Sequence, residues 1–191
     1  MRLATTYIKN VFCLEGEMGR DMRDRSSIKA AMNFMLQNFT VKFIYKQCQN
    51  RANMEYYINR WKRNKKYESY SICYLHFHGE SGKIEPGGRA FVSFDELGEM
   101  LKDACTDKVI HFGTCETIKV EKKKVDDFLR KTKALCISGY RADVDFFESS
   151  VFDLIFIDHL QKFKSVAKVY RSLIENHPVM VKKLGFTMHY L

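Results

Sequence analysis

The 191-residue sequence predicts an α/β domain of three layers, with a mostly parallel central sheet between two layers of helices. Three observations predict it. Strand-like apolar runs alternate with segments of helical period along most of the chain, the pattern of right-handed crossovers between parallel strands. One of the runs, SICYLHF, is apolar on both faces, as expected of a strand that helices cover on both sides. The length suits one domain with room for such a core, and no repeat, low-complexity tract or Pro-, Gly- or Ser-rich linker divides it. Residues 1–191 are therefore read as one domain.

Each element follows in order. Residues 7–14 (YIKNVFCL) read as a first strand. Residues 26–38 place Ile28, Met32, Met35 and Leu36 on one helical stripe, with Ser26 as a cap. Residues 41–45 (VKFIY) form a second strand, and residues 53–63 carry Met54, Tyr57, Ile58 and Trp61 at helical spacing. Residues 71–77 (SICYLHF) are the third strand. The glycine-containing bend at residues 85–88, within residues 83–92, reads as a small exposed hairpin. A helix over 94–104, a fourth strand over 108–112 (KVIHF), a helix over 125–132 and a fifth strand over 134–138 (ALCIS) come next. Helices over 151–160 and 167–175 and an edge strand over 185–190 complete the chain.

Composition excludes several classes of function. With 46% hydrophobic and 29% charged residues and only two prolines, the chain is neither disordered nor fibrous. No apolar run reaches the roughly 18 residues of a membrane span, so no membrane association is expected. The N-terminus lacks the pattern of a signal peptide, and a cytoplasmic location is expected. The six cysteines form no C-x-x-C pair, and several sit in apolar runs where free thiols pack as small hydrophobes, which argues against a disulfide framework or a zinc site. His159, His177 and His189 share no metal-ligand spacing, and His76 and His111 read as packed or surface residues. No metal or cofactor is expected.

The net charge of +9 gathers at residues 60–66 (RWKRNKK) and 119–124 (KVEKKK), runs that usually form solvated helix faces. Tyr56, Tyr57, Trp61, Tyr67 and Tyr70 lie near basic residues, yet Tyr57 and Trp61 fit a buried stripe rather than a stacking platform. Nucleic acid is not an expected partner.

Two strands end in residues that can form one reactive unit. The third stops at His78-Gly79 and the fourth at Cys115, and in a parallel sheet both ends emerge on the same edge. Neighbouring strands lie about 4.8 Å apart, so side chains from their exit loops can meet. An imidazole can take the thiol proton and later protonate a departing amine, which is acyl-transfer chemistry. The oxyanion formed on the way needs backbone donors, for which Gly79 and the amide of Cys115 are the candidates.

A hydrophobic block followed by His-Gly, then a second hydrophobic block ending in one or two small residues and Cys, resembles the two-block pattern of the caspase-like cysteine peptidases. Here the blocks are YLHFHG and VIHFGTC. The resemblance implies the caspase-hemoglobinase fold, hydrolysis of a protein or peptide substrate, no obligatory cofactor, and His78 and Cys115 as catalytic dyad with Gly79 in the oxyanion hole. Cys115 is followed by Glu-Thr-Ile, not by the Arg-Gly of animal caspases, so their Asp specificity is not implied. The chain is most similar in feel to bacterial CHAT-like and antiviral caspase-like effectors. In such enzymes loops after the first and near the fifth strand line the P1 pocket. The matching positions hold Glu15, Glu17, Asp143 and Asp145, whose carboxylates would favour Arg or Lys at P1. Control by an activating partner, a small-molecule ligand or dimerisation is to be expected of a free protease, with no residue identifying which.

A reading from another class is a catalytically inactive doubly wound module that binds a nucleotide-type signal or a protein partner at the carboxyl edge of its sheet. Neither a Gly-x-Gly-x-x-Gly nor a phosphate-loop motif supports it.

Overall fold

Side chains alternate across the central strands and divide the core in two. On β3 (Ile72–His76), Cys73 and Leu75 pack with Phe12, Trp61, Phe94 and Phe128, while Ile72 and Tyr74 pack with Met32, Phe152, Phe156 and Leu173 on the opposite face. Burial on both faces accounts for the largely apolar sequence of β3. The computed structural model describes residues 9–19, 21, 23–87, 90–113 and 115–191. Tyr7 and Ile8 of the expected first strand, Gly88 and Arg89 of the hairpin, and Thr114 before Cys115 lie outside the described residues.

The main sheet joins β3 to β1 (Val11–Glu15), β2 (Phe43–Gln47), β7 (Val109–Phe112), β8 (Cys136–Tyr140) and β9 (Phe186–His189), in the order β2-β1-β3-β7-β8-β9. All pairings are parallel except β8 with β9. Helices α2 (Arg51–Arg63), α3 (Phe94–Met100) and α4 (Lys122–Thr132) cover one face, and α1 (Lys29–Phe39), α5 (Phe146–Lys162), α6 (Val166–Asn176) and α7 (Pro178–Leu184) the other. The chain leaves β1 for α1 on one face and passes from β3, through a small separate sheet, to α3 on the other. A crevice therefore opens at the carboxyl ends of β1 and β3, where the strand order reverses.

Local chemistry sets most helix starts. Asn50 caps α2 by accepting from the Asn53 amide at 2.9 Å, and Ser93 and Glu96 form a reciprocal capping box on α3. Asp145 caps α5, accepting from the Glu148 amide at 2.9 Å, so this helix begins before the expected residue 151. Helix α4 likewise starts at Lys122 rather than 125. Helix α7 was not anticipated; Pro178 occupies its first turn and Gly185 closes it at φ 58°.

Two sequence expectations need correction. Ser26 does not cap α1, which begins at Lys29 without a side-chain cap. The Ser27 hydroxyl and the Ile28 amide are instead drawn to the Glu15 carboxylate at 2.6 and 2.7 Å, which ties this segment to the end of β1. Helix α1 then buries Met32 and Met35 but leaves Leu36 43% exposed. The expected hairpin is a three-stranded antiparallel sheet of β4 (His78–Glu80), β5 (Lys83–Gly87) and β6 (Ala90–Ser93). The third strand thus ends at His76, and His78 opens this second sheet.

Candidate active site

His78 and Cys115 line one cleft of about 350 Å³ at the carboxyl edge of β3 and β7. The two strands are parallel neighbours, with Tyr74 opposite His111 and Leu75 opposite Phe112, so their exit segments leave the sheet side by side. Met18, Asp24 and Ser26 from the loop after β1 form one wall, and Asp143, Val144, Phe146 and Ser149 from the segment after β8 form another.

The His78 ring is exposed, and its Nε2 lies 2.8 Å from the carbonyl oxygen of Met18. A carbonyl can only accept, so this nitrogen carries the proton, and in the neutral ring Nδ1 is left with a free lone pair. The backbone of the β1 loop thereby fixes both the tautomer and the direction of the imidazole. Gly79 follows in β4, opposite Ile84 of β5.

Cys115 is partly buried. The Val144 amide donates to its Sγ at 3.5 Å, and the Val144 carbonyl lies 3.8 Å from the same sulfur. Burial pushes the thiol pKa up, the Asp143 carboxylate beside it adds to the rise, and the Val144 amide opposes it without cancelling it. The free protein therefore holds Cys115 as a thiol. Gly113, two positions earlier, leaves no room for a side chain: a Cβ there would lie 2.5 Å from Tyr74 Cε2 and 2.9 Å from His76 Cδ2.

The four acids expected in a P1 pocket separate. Asp143 is exposed and lines the cleft beside Cys115. Glu15 does not reach it: the residue is 1% exposed, and its oxygens accept from Ser27, Ile28 and, in a short contact, Tyr45. Burial by itself would raise the Glu15 pKa, but the adjacent His76 ring, the two hydroxyls and the Ile28 amide outweigh it and hold the carboxyl below its usual range. Glu15 is thus a fastener between β1, β2 and the start of α1, with no oxygen to offer a substrate. Glu17 is exposed, Asp145 is committed to capping α5, and neither lines the cleft.

Beneath the cleft lies a polar cluster inside the apolar core. Asp153 of α5 accepts from Tyr74 and Tyr140 in short contacts, and one of its oxygens lies 2.6 Å from His111 Nε2. His111 Nδ1 is 3.0 Å from the Ser138 hydroxyl. Burial, reinforced by Asp153, raises the pKa of both tyrosines, so they remain donors. The cluster clamps β3, β7 and β8 to α5 under the loops that carry His78, Cys115 and Asp143. His111 and His76, read as packed or surface residues, are 0% and 1% exposed, and His76 also forms part of the cleft floor. Sequence reasoning missed Asp153 and Met18. Asp153 lies in an otherwise ordinary helix, and Met18 acts through a main-chain atom that carries no sequence signal.

Among solved structures, the fold is similar to that of a secreted C11 cysteine protease from Bacteroides thetaiotaomicron, determined in complex with an irreversible peptide inhibitor. The TM-score is 0.60 at 12% sequence identity, over 93% of this chain and 59% of the protease. The chain thus has a caspase-like α/β fold and spans about three-fifths of the length of that protease. No curated protein matches the sequence. Over residues 8–190 it matches the family described as "Family of unknown function (DUF6642)", a stretch that contains the whole cleft and the cluster beneath it. The chain belongs to the DUF6642 family.

Proposed function

We propose that this protein is a cysteine endopeptidase in which Cys115 is the nucleophile, His78 the general base and acid, and Asp143 the group that selects a basic P1 residue. The observation that carries this reading is the shared cleft: an imidazole with a free Nδ1, a thiol and an exposed carboxylate line it from neighbouring strand ends. His78 Nδ1 takes the thiol proton, the thiolate attacks the scissile carbonyl, and the protonated ring returns the proton to the leaving amine. Water then hydrolyses the thioester with His78 again as base. The amides of Gly79 and Cys115 are the donors proposed for the oxyanion.

Asp143 has a second effect in this scheme. Without a cationic partner it adds to the rise in the thiol pKa that burial causes; paired with an arginine or lysine of the substrate, it adds less. A basic P1 side chain therefore docks and also relieves part of the charge effect that disfavours the thiolate. Cytoplasmic action on proteins or peptides, control by a partner or ligand, and kinship with CHAT-like antiviral effectors belong to the same proposal and rest on the sequence blocks.

The test is covalent labelling by peptidyl acyloxymethyl ketones that differ only at P1. Arg and Lys probes should label wild-type protein at Cys115 and leave Cys115→Ala unmodified, and His78→Ala should slow labelling by at least about 100-fold. Equal labelling by P1 Asp and P1 Arg probes would remove the specificity claim, and labelling of Cys115→Ala would remove the dyad.

A further inference from the structure

We propose that the cavity between β2 and α2 is a second binding site that takes a mononucleotide, a planar base carrying phosphate. It shares no lining residue with the cleft and encloses about 320 Å³. That volume falls at the small end of ligand sites and suits one base with its sugar better than a polymer.

Its floor and walls are aromatic. Phe12 and Trp61, both buried, stack on each other at 4.8 Å with planes 8° apart and close the bottom, while Tyr56, Tyr57 and Tyr67 stand around it and supply the accessible ring surface. Such surfaces hold a planar ring through stacking, whichever base it is. Among proteins, aromatic enclosures also hold methylated ammonium groups. Charge decides between the two here. The lining contains Lys46 and Arg60 and no carboxylate, so a cationic ligand would be repelled and an anionic one drawn in.

Both cations are already placed. The Arg60 guanidinium sits over the Tyr56 ring at 5.6 Å and donates to its hydroxyl at 3.0 Å, and the Lys46 ammonium lies 5.8 Å from the centre of the Tyr57 ring. Among the described residues, neither has a carboxylate within ion-pair distance. Two exposed cations held on ring faces at the mouth of an aromatic cavity offer a phosphate charge-assisted hydrogen bonds while the base lies among the tyrosine rings. Arg60 also begins the basic run at residues 60–66, for which the peptidase chemistry has no use.

Trp61 is the only tryptophan of the chain, so its fluorescence reports on the cavity floor. The full chain is titrated with AMP, GMP and UMP, with adenosine and with inorganic phosphate, exciting at the red edge of the indole band. Saturable quenching by the monophosphates is expected, with adenosine about tenfold weaker and phosphate alone without effect. Arg60→Ala and Lys46→Ala should each weaken the monophosphates by about tenfold and leave adenosine unchanged, whereas Tyr56→Ala should weaken all of them. These three side chains are exposed, so the variants keep the core. Absence of saturable quenching, an equal response to phosphate alone, or binding of single-stranded oligonucleotides without binding of any monophosphate would overturn the proposal.

Discussion

His111 and Asp153 meet at 2.6 Å inside the core, on the strand that leads to Cys115 and the helix that follows Asp143. An imidazole and a carboxylate with near-zero exposure would be costly to bury alone. Here the carboxylate takes donors from two tyrosines and the ring, and the ring's other nitrogen meets Ser138. Sites placed on such clamped strands keep their geometry better than sites on loops alone.

Removing the hub should therefore cost more than removing one spoke. Asp153→Ala removes the acceptor shared by two tyrosine hydroxyls and an imidazole in the core, leaving Tyr140 only its bond to the Ser149 carbonyl, and should lower unfolding free energy by about 3–5 kcal/mol. Tyr74→Phe deletes a single donor and should cost about 1–2 kcal/mol. Chemical denaturation measures both, and equal losses would show that the cluster does not act as one unit.

Alkylation should find one cysteine. Cys13, Cys48, Cys73, Cys105 and Cys136 are buried, and burial raises the pKa of each, to about 12 for Cys48, Cys105 and Cys136. Native protein treated with iodoacetamide should gain a single adduct, at Cys115, seen by intact mass and peptide mapping. Its rate should rise with pH through a midpoint above that of a free thiol, because burial and Asp143 favour the protonated form. Adducts on two or more sites would contradict the burial pattern.

Asp143→Asn should move two readouts in opposite directions. Without the carboxylate the thiol pKa falls, so alkylation of Cys115 near neutral pH becomes faster. The same change removes the proposed partner of a basic P1 side chain, so labelling by the P1 Arg probe should become about tenfold slower or worse. Parallel changes in both rates would show that Asp143 acts only by shaping the loop.

Glu15 links stability to acidity. Its folded-state pKa lies below the unfolded one, so its contribution is complete above the ordinary glutamate value of about 4.3 and is lost as pH falls through the folded value. Glu15→Gln should lower Tm at neutral pH and show a shallower decline in Tm on acidification than wild type. A variant with the same acid limb as the native protein would mean that the carboxylate is not the sensitive group.

A Cβ at position 113 has nowhere to go, since Tyr74 is held by Asp153 and cannot retreat. Gly113→Ala should cost about 1–3 kcal/mol and displace the Cys115 segment. Calorimetry gives the first effect, and a fall in probe labelling beyond the loss of folded protein gives the second.

The alternation of elements, the neighbouring strands that end near His78 and Cys115, and the two-faced burial of β3 could all be read from period and composition, because tertiary packing agrees with local pattern there. The missed parts have physical reasons. Helix α7 is two turns long and too short for a periodic signal, and only Pro178 and Gly185 mark it. Glu15 and Asp143 are equivalent as letters in loops after strands; what separates them is that Ser27, Ile28 and Tyr45 fold over the first while the second is exposed. Helical spacing reads Trp61 as buried and it is, stacked on Phe12, yet it still lines the bottom of a cavity. Periodicity reports which way a residue faces and not whether its neighbours fill the space beside it.

The contact between Met18 and His78 has a consequence for how this family can drift. A main-chain oxygen is supplied by whatever amino acid occupies the site, so position 18 is free to change identity while the imidazole stays oriented. Relatives can therefore look unrelated along the segment that follows the first strand and still hold the same ring in the same direction, provided the path of that segment is preserved.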